Sequence, residues 1–178
     1  MGVDRYRWVQ WNPRLDAFCI TAVAGIGREQ ALQGFQADPA TATPSSFADA
    51  FSGYPSPSYV LVDEVPGGVL AAENNGWQGA DADVATGISR GGTLASYYRS
   101  VNADTTFVHA VDGSLLASFD PLLDDVPREL SQQAQGLPFG EDDVDACAFA
   151  LLERLTGIGF DEAWLDSTHT RYDVPSPY

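Results

Sequence analysis

Thr105 to Phe119 reads TTFVHAVDGSLLASF, and its centre decides how the rest of the chain is read. β-Branched and aromatic residues flank Asp112-Gly113, the dipeptide that suits a two-residue turn whose central residues both need positive φ. The stretch is expected to fold as a hairpin. Pairing Val111 with Ser114 sets Thr106, Val108, Ala110, Leu115, Ala117 and Phe119 on one face, and Phe107, His109, Val111 and Leu116 on the other. The first face has the character of a core. The second is mixed and is expected to be partly covered by a helix or by the N-terminal arm.

Working outward, Asp16 to Ala24 (DAFCITAVA) reads as a central strand ended by Gly25-Ile26-Gly27, and Arg28 to Phe35 as a short helix with Ala31, Leu32 and Phe35 on one side. Ala37 to Ser46, with Pro39, Pro44 and four Ser/Thr, reads as a loop, after which Ser46 caps a short helix through Phe51. Tyr59–Val65 and Val69–Glu73 form a second hairpin around Pro66-Gly67-Gly68. Asp81 to Ser89 is a helical turn, Thr93 to Tyr98 another strand, and Arg128 to Gln135 a further helical stretch. Glu141 to Thr156 carries the clearest helical pattern. Val144, Ala148, Leu151 and Leu155 recur at three- and four-residue spacing, acids open it, and Gly157 follows it. The expected fold is α+β, a mostly antiparallel sheet of five or six strands with helices packed on one face. Residues 1–178 are expected to form a single domain, with 1–15 as an N-terminal arm and 167–178 as an extended tail.

Composition narrows the partners. The chain has 178 residues, 44% of them hydrophobic, and a formal charge of -16 from 25 acids against nine basic residues, every one an arginine. That apolar content supports a folded core. Its charge repels phosphate backbones and anionic membranes, so neither nucleic acid nor membrane is an expected partner. No segment reaches the ~20 apolar residues of a spanning helix, and no secretory leader opens the chain, so a cytoplasmic location is expected. Cys19 and Cys147 read as reduced core thiols. The acids are densest from Asp120 to Asp145, where eight accompany a single basic residue, Arg128.

Familiar chemistries find little support. The two histidines, His109 in a strand and His169 in the tail, read as half-exposed and solvated. Neither cysteine has a histidine nearby in sequence. There is no CxxC, HxH or HExxH spacing, and Asp142-Asp143-Val144-Asp145 lacks the glycine-punctuated loop of a calcium site. Gly25-Ile26-Gly27 matches only the first half of a dinucleotide fingerprint. No metal and no cofactor are expected.

Glu73-Asn74-Asn75-Gly76-Trp77-Gln78-Gly79 gathers polar groups and an indole at the end of a strand, a composition found in binding loops and also in turns whose Asn side chains hold the backbone. Arg99-Ser100-Val101-Asn102 is a second polar set, and Arg99 would pair with Glu73 if the two strand ends were neighbours. These segments occur in the order Phe18-Cys19-Ile20-Thr21, Ala37-Asp38-Pro39, Glu73–Gly79, Ser89-Arg90-Gly91, Tyr98–Ala103, Asp112-Gly113, Ser118–Pro121 and Glu153–Gly157. That order resembles an uncharacterised family of small proteins from high-GC soil bacteria, a domain of unknown function, across roughly residues 16–158. Where the family usually carries Asn, this chain has Ser100. The resemblance implies a bacterial cytoplasmic domain and brings no catalytic residues with it.

The function expected from the residues is therefore non-enzymatic. A -16 charge on a small domain without a visible active site suits an acidic binding protein, of the immunity or inhibitor kind, that neutralises a basic toxin. Its candidate contacts are Glu73, Asn74, Asn75, Trp77, Arg99, Asn102, Asp124, Asp125, Asp142 and Asp143. The alternative is a small-ligand site or enzyme centred on Trp77, with Glu73 as general base and Arg99 as anion anchor.

Overall fold

The computed structural model describes residues 2–53, 57–140 and 143–176. Its framework is an eight-stranded sheet: β1 (Phe18–Ala24), β2 (Asp38–Ser45), β3 (Ser58–Val65), β4 (Gly68–Asn74), β5 (Thr93–Arg99), β6 (Thr105–Val111), β7 (Ser114–Phe119) and β8 (His169–Val174). Their order across the sheet is β2-β8-β3-β4-β1-β5-β6-β7, with every ladder antiparallel. The α-helices are α1 (Arg28–Phe35), α2 (Ala82–Ile88) and α3 (Val144–Thr156). The fold is α+β.

The sheet has eight strands rather than five or six because two segments without strand-like patterning join it. The Ala37–Ser46 stretch, expected as a loop, forms the edge strand β2, where prolines are tolerated because one side needs no ladder donors. The expected extended tail is β8, held between β2 and β3.

Helices lie on both faces of the sheet, not one. Along β1 the six residues Phe18 to Val23 are all buried, so each face needs a cover. Phe18, Ile20, Ala22, Leu70, Ala72, Ala95 and Tyr97 pack with α3 and the Val3–Val9 3-10 helix. Val23, Val69, Ala71, Leu94 and Val108 face α1 and α2 instead. The N-terminal arm belongs to the first layer, with Tyr6 stacked on Phe149 and Trp8 against Phe160, both at 5.7 Å between centroids.

The hairpin forms as expected at its turn: Asp112 and Gly113 have φ of 47° and 77°, and Val111 pairs with Ser114. Its faces do not. A register shift between the Ala110–Leu115 and His109–Ala117 pairs leaves Leu116 as an extra residue. One inserted residue rotates everything beyond it. Ala117 and Phe119 therefore join the face of Phe107, whose ring is 5.5 Å from that of Phe119. Leu115 and Leu116 remain exposed.

Other boundaries differ by less. α3 begins at Val144, the expected opening residues Glu141 and Asp142 lying outside the described residues, and Gly157 ends it with φ of 74°. Arg128–Gln135 contributes only the 3-10 turn Arg128–Leu130. Both histidines are buried, contrary to expectation. His109 packs in the sheet with Nδ1 2.8 Å from Leu94 O, and burial pushes its pKa down. His169 Nδ1 is 2.6 Å from Asp63 Oδ2 and its Nε2 2.8 Å from Trp164 O, while Trp164 stacks on the ring and donates Nε1–H to the same Asp63 oxygen. With both ring nitrogens engaged, His169 is a fastener for β8 rather than a general base. Among the described residues no helix is long and apolar enough to cross a membrane.

Candidate functional site

Among the described residues, those singled out on β4, β5 and the segments after them stand at one end of the sheet. Phe18, the first residue of β1, pairs with Asn74 at the end of β4 and with Arg99 at the end of β5, and Arg99 pairs in turn with Thr105. The segments leaving β4, β5 and β7 therefore emerge side by side.

Glu73 is 2% exposed on the face of α1 and α2. Its Oε1 accepts from Gln78 N at 2.9 Å and its Oε2 from Gly79 N at 2.8 Å, so the carboxylate closes the ENNGWQG loop onto its own strand. A buried carboxylate loses its hydration, and burial pushes the Glu73 pKa up to about 7 despite those two donors. Beside it lie Cys19, Thr21 and Ser96, a buried polar set that carries no sequence motif. Thr21 Oγ1 is 2.8 Å from Ser96 Oγ, and Cys19 Sγ is 3.3 Å from the same hydroxyl. Burial, reinforced by the neighbouring Glu73, raises the Cys19 pKa, so this thiol is a poor nucleophile. The cluster is closely packed on its Gly79 side. A Cβ on Gly79 would run into Thr21 Oγ1 and stand 3.2 Å from both Cys19 Sγ and Glu73 Oε2.

The amide side chains of the rest of the loop are engaged as well. Asn74 donates Nδ2–H to Phe47 O, Asn75 donates to Ser52 O from a left-handed backbone (φ 60°), and Gln78 donates Nε2–H to Pro175 O. The Asn side chains thus hold distant backbone, not their own turn. Trp77 is half-buried. With Ala80, Asp81, Ala82, Tyr98 and Thr106 it lines an open groove of about 420 Å³.

Arg99 does not meet Glu73. It shares the Phe18 face, where it forms an ion pair with Asp145 at the start of α3, and Tyr97 donates Oη–H to the other oxygen of that carboxylate. The expected Glu73–Arg99 pairing is corrected by strand parity: consecutive residues of β1 face opposite ways, and Glu73 sits across from Cys19 while Arg99 sits across from Phe18. Asp143 is half-buried and paired with Arg7 at 3.3 Å. Asp142 lies outside the described residues.

Asn102, Asp124 and Asp125 are exposed, on two turns that adjoin. The 100–104 turn and the 120–125 turn adjoin where Thr105 donates Oγ1–H to Asp120 Oδ1 at 2.5 Å. Asp124 Oδ2 accepts from Asp120 N, which folds the second turn back on itself. The same two turns carry Val101, 67% exposed, Leu122, and Leu123, 85% exposed. Sequence reasoning passed over these apolar residues. The signal was there, in a Leu122-Leu123 pair placed between Pro121 and Asp124-Asp125 with no helical or strand period to bury it.

Among the described residues no three His, Cys, Asp or Glu side chains are arranged to hold a metal ion. A model of the family of unknown function DUF6461 matches residues 2–175. The chain belongs to this family. The DUF6461 match takes in the N-terminal 3-10 helix, both helical layers and β8, so it covers the whole sheet end described above. Comparison with curated proteins and with solved structures found no match.

Proposed function

We propose that this DUF6461 protein is a non-enzymatic binding protein of the cytoplasm whose partner is a basic protein, in the manner of an immunity protein or inhibitor that occupies the cationic surface of a toxin. One observation carries the reading. Where the 100–104 and 120–125 turns adjoin, exposed Val101, Leu122 and Leu123 lie in the same two turns as Asp104, Asp120, Asp124 and Asp125. Apolar anchors bring affinity when buried, and surrounding like charges select a partner of opposite sign and speed its approach. The ion pairs support it from the other side. Arg5, Arg7, Arg14 and Arg99 are engaged with acids of the α3 layer, its N-terminal arm and the segment before β8. The carboxylates of the 100–104 and 120–125 turns form no such pair among the described residues.

The test is purification of the tagged protein from its own host, followed by reconstitution with each co-purifying protein. The expected result is a cationic partner whose affinity falls steeply from low to high salt. A partner of neutral or acidic character, or affinity indifferent to salt, overturns the reading.

A further inference from the structure

The two edges of the sheet are finished differently. β2 carries Pro39 and Pro44, opens with Asp38 and is interrupted by an irregularity between Asp38 and Thr43. Prolines, charges and bulges are the usual means of stopping an edge from pairing with another chain. β7, at the other edge, has neither proline nor charge from Ser114 to Phe119. Its bulge lies next to the turn and leaves Ala117, Ser118 and Phe119 in regular register with His109, Val108 and Phe107. Leu115 and Leu116 are exposed along it, and Leu122 and Leu123 are exposed in the turn that follows Asp120-Pro121. In an antiparallel ladder alternate residues of an edge strand turn their N–H and C=O groups away from the sheet. Among the described residues no strand pairs with the outer side of β7, which thus offers backbone groups and apolar side chains in one strip.

Charge decides what pairs with it. The strip is bounded by Asp112 at the turn and by Asp120, Asp124 and Asp125 at the other end, with Asp104 beside them. The nearby cations are Arg90, against Gly113 at the turn, and Arg128, in the 3-10 turn that packs on β7. A second copy in antiparallel register would bring Asp112 of each chain toward Asp120 of the other, so self-pairing is opposed by like charge. We propose that β7 is a docking edge that accepts a β-strand of the basic partner, a strand of apolar and hydroxyl residues flanked by Arg or Lys, as a ninth strand of the sheet. This inference rests on the binding-protein reading above and adds the mode of attachment.

The probe is an acetylated, amidated peptide, Arg-Val-Thr-Val-Thr-Val-Arg, added to the full chain with backbone amides followed by NMR and hydrogen exchange. Two control peptides accompany it, one with glutamate in place of both arginines and one N-methylated at alternate residues. The proposal expects saturable shifts and slowed exchange in Leu115–Phe119, at least tenfold weaker binding of both controls, and weakened binding to the Leu116→Lys variant with its spectrum otherwise unchanged. If the basic peptide shifts Asp104, Asp124 and Asp125 while β7 is untouched, or if the N-methylated peptide binds equally well, strand addition is overturned and the acidic-corner reading stands. If no peptide binds at millimolar concentration, or if the free chain is already a dimer with β7 protected, the proposal falls as well. Salt-insensitive binding of the glutamate and arginine peptides alike would sink both readings together.

Discussion

Glu73 and Arg99 stand at the same end of the sheet, two strands apart, with their side chains on opposite faces. Phe18 lies between Asn74 and Arg99, whereas Cys19 lies between Glu73 and Tyr98. One carboxylate therefore closes a loop beneath the layer of α1 and α2, and the guanidinium fastens α3 on the far side. Two polar side chains that look like partners in the sequence serve two separate layers, and each makes its own prediction.

Stability should depend on pH through Glu73. Folded, this carboxyl keeps its proton up to about 7; unfolded, it loses it near its ordinary 4.5. Between those values the folded state binds more protons, so stability falls as pH rises, by about 3 kcal/mol in all. His109 acts in the opposite sense, because burial lowers its pKa and the folded state then binds fewer protons below the ordinary 6.5. Urea midpoints of the wild type and Glu73→Gln from pH 4.5 to 8 separate the two. The variant should lose the downward slope; the same slope in both proteins would contradict the assignment.

Gly79→Ala should be severely destabilising, by about 2 kcal/mol or more, because the added methyl enters the Thr21–Cys19–Glu73 cluster. Gly87→Ala is the control: its Cβ would meet nothing within 4 Å, and Ala favours the helix. Thermal melts of the two variants should shift in opposite directions.

Arg99→Ala leaves the buried Asp145 carboxylate without its cation and should cost about 3 kcal/mol in denaturant unfolding. Partner affinity, measured where the variant is still folded, should hardly change, since Arg99 is committed to α3. A large loss of affinity at full stability would instead place Arg99 in the binding surface.

Asp63→Ala removes the acceptor shared by Trp164 Nε1–H and His169 Nδ1. Leaving buried donors unmet costs about 1–3 kcal/mol each. Hydrogen exchange should show that loss first in β8 and the strands beside it.

Asp124→Lys with Asp125→Lys should lower the melting temperature by no more than about 2–4 °C, because both side chains are exposed and the one bond lost is the surface Asp120 N–H to Asp124 Oδ2 contact. Association with the basic partner should slow by about tenfold or more at low salt and converge on the wild-type rate at high salt. Interferometry at two ionic strengths reads both.

Much of the architecture is legible in the chain itself. Residues with one strong local preference declare their element: Asp112-Gly113 its turn, Cys19 to Val23 a strand, the Val144–Leu155 spacing a helix ended by Gly157. β2 and β8 do not declare theirs, since prolines and polar residues become strand only when a neighbouring edge supplies the ladder. The Leu116 bulge is equally silent, although it turns Phe119 from one core to the other.

The candidate site divides along the same line. Net charge, the absence of familiar catalytic motifs and the clustering of acids after Asp120 are properties of composition, and the chain alone determined them. Tertiary structure decided which acids are already neutralised by arginine, that Glu73 and Arg99 never meet, and that Val101 and Leu123 surface beside Asp104 and Asp124. Charge adds up along a chain whatever its shape, whereas pairing and exposure depend on which strands lie next to each other and on which side of the sheet each residue points.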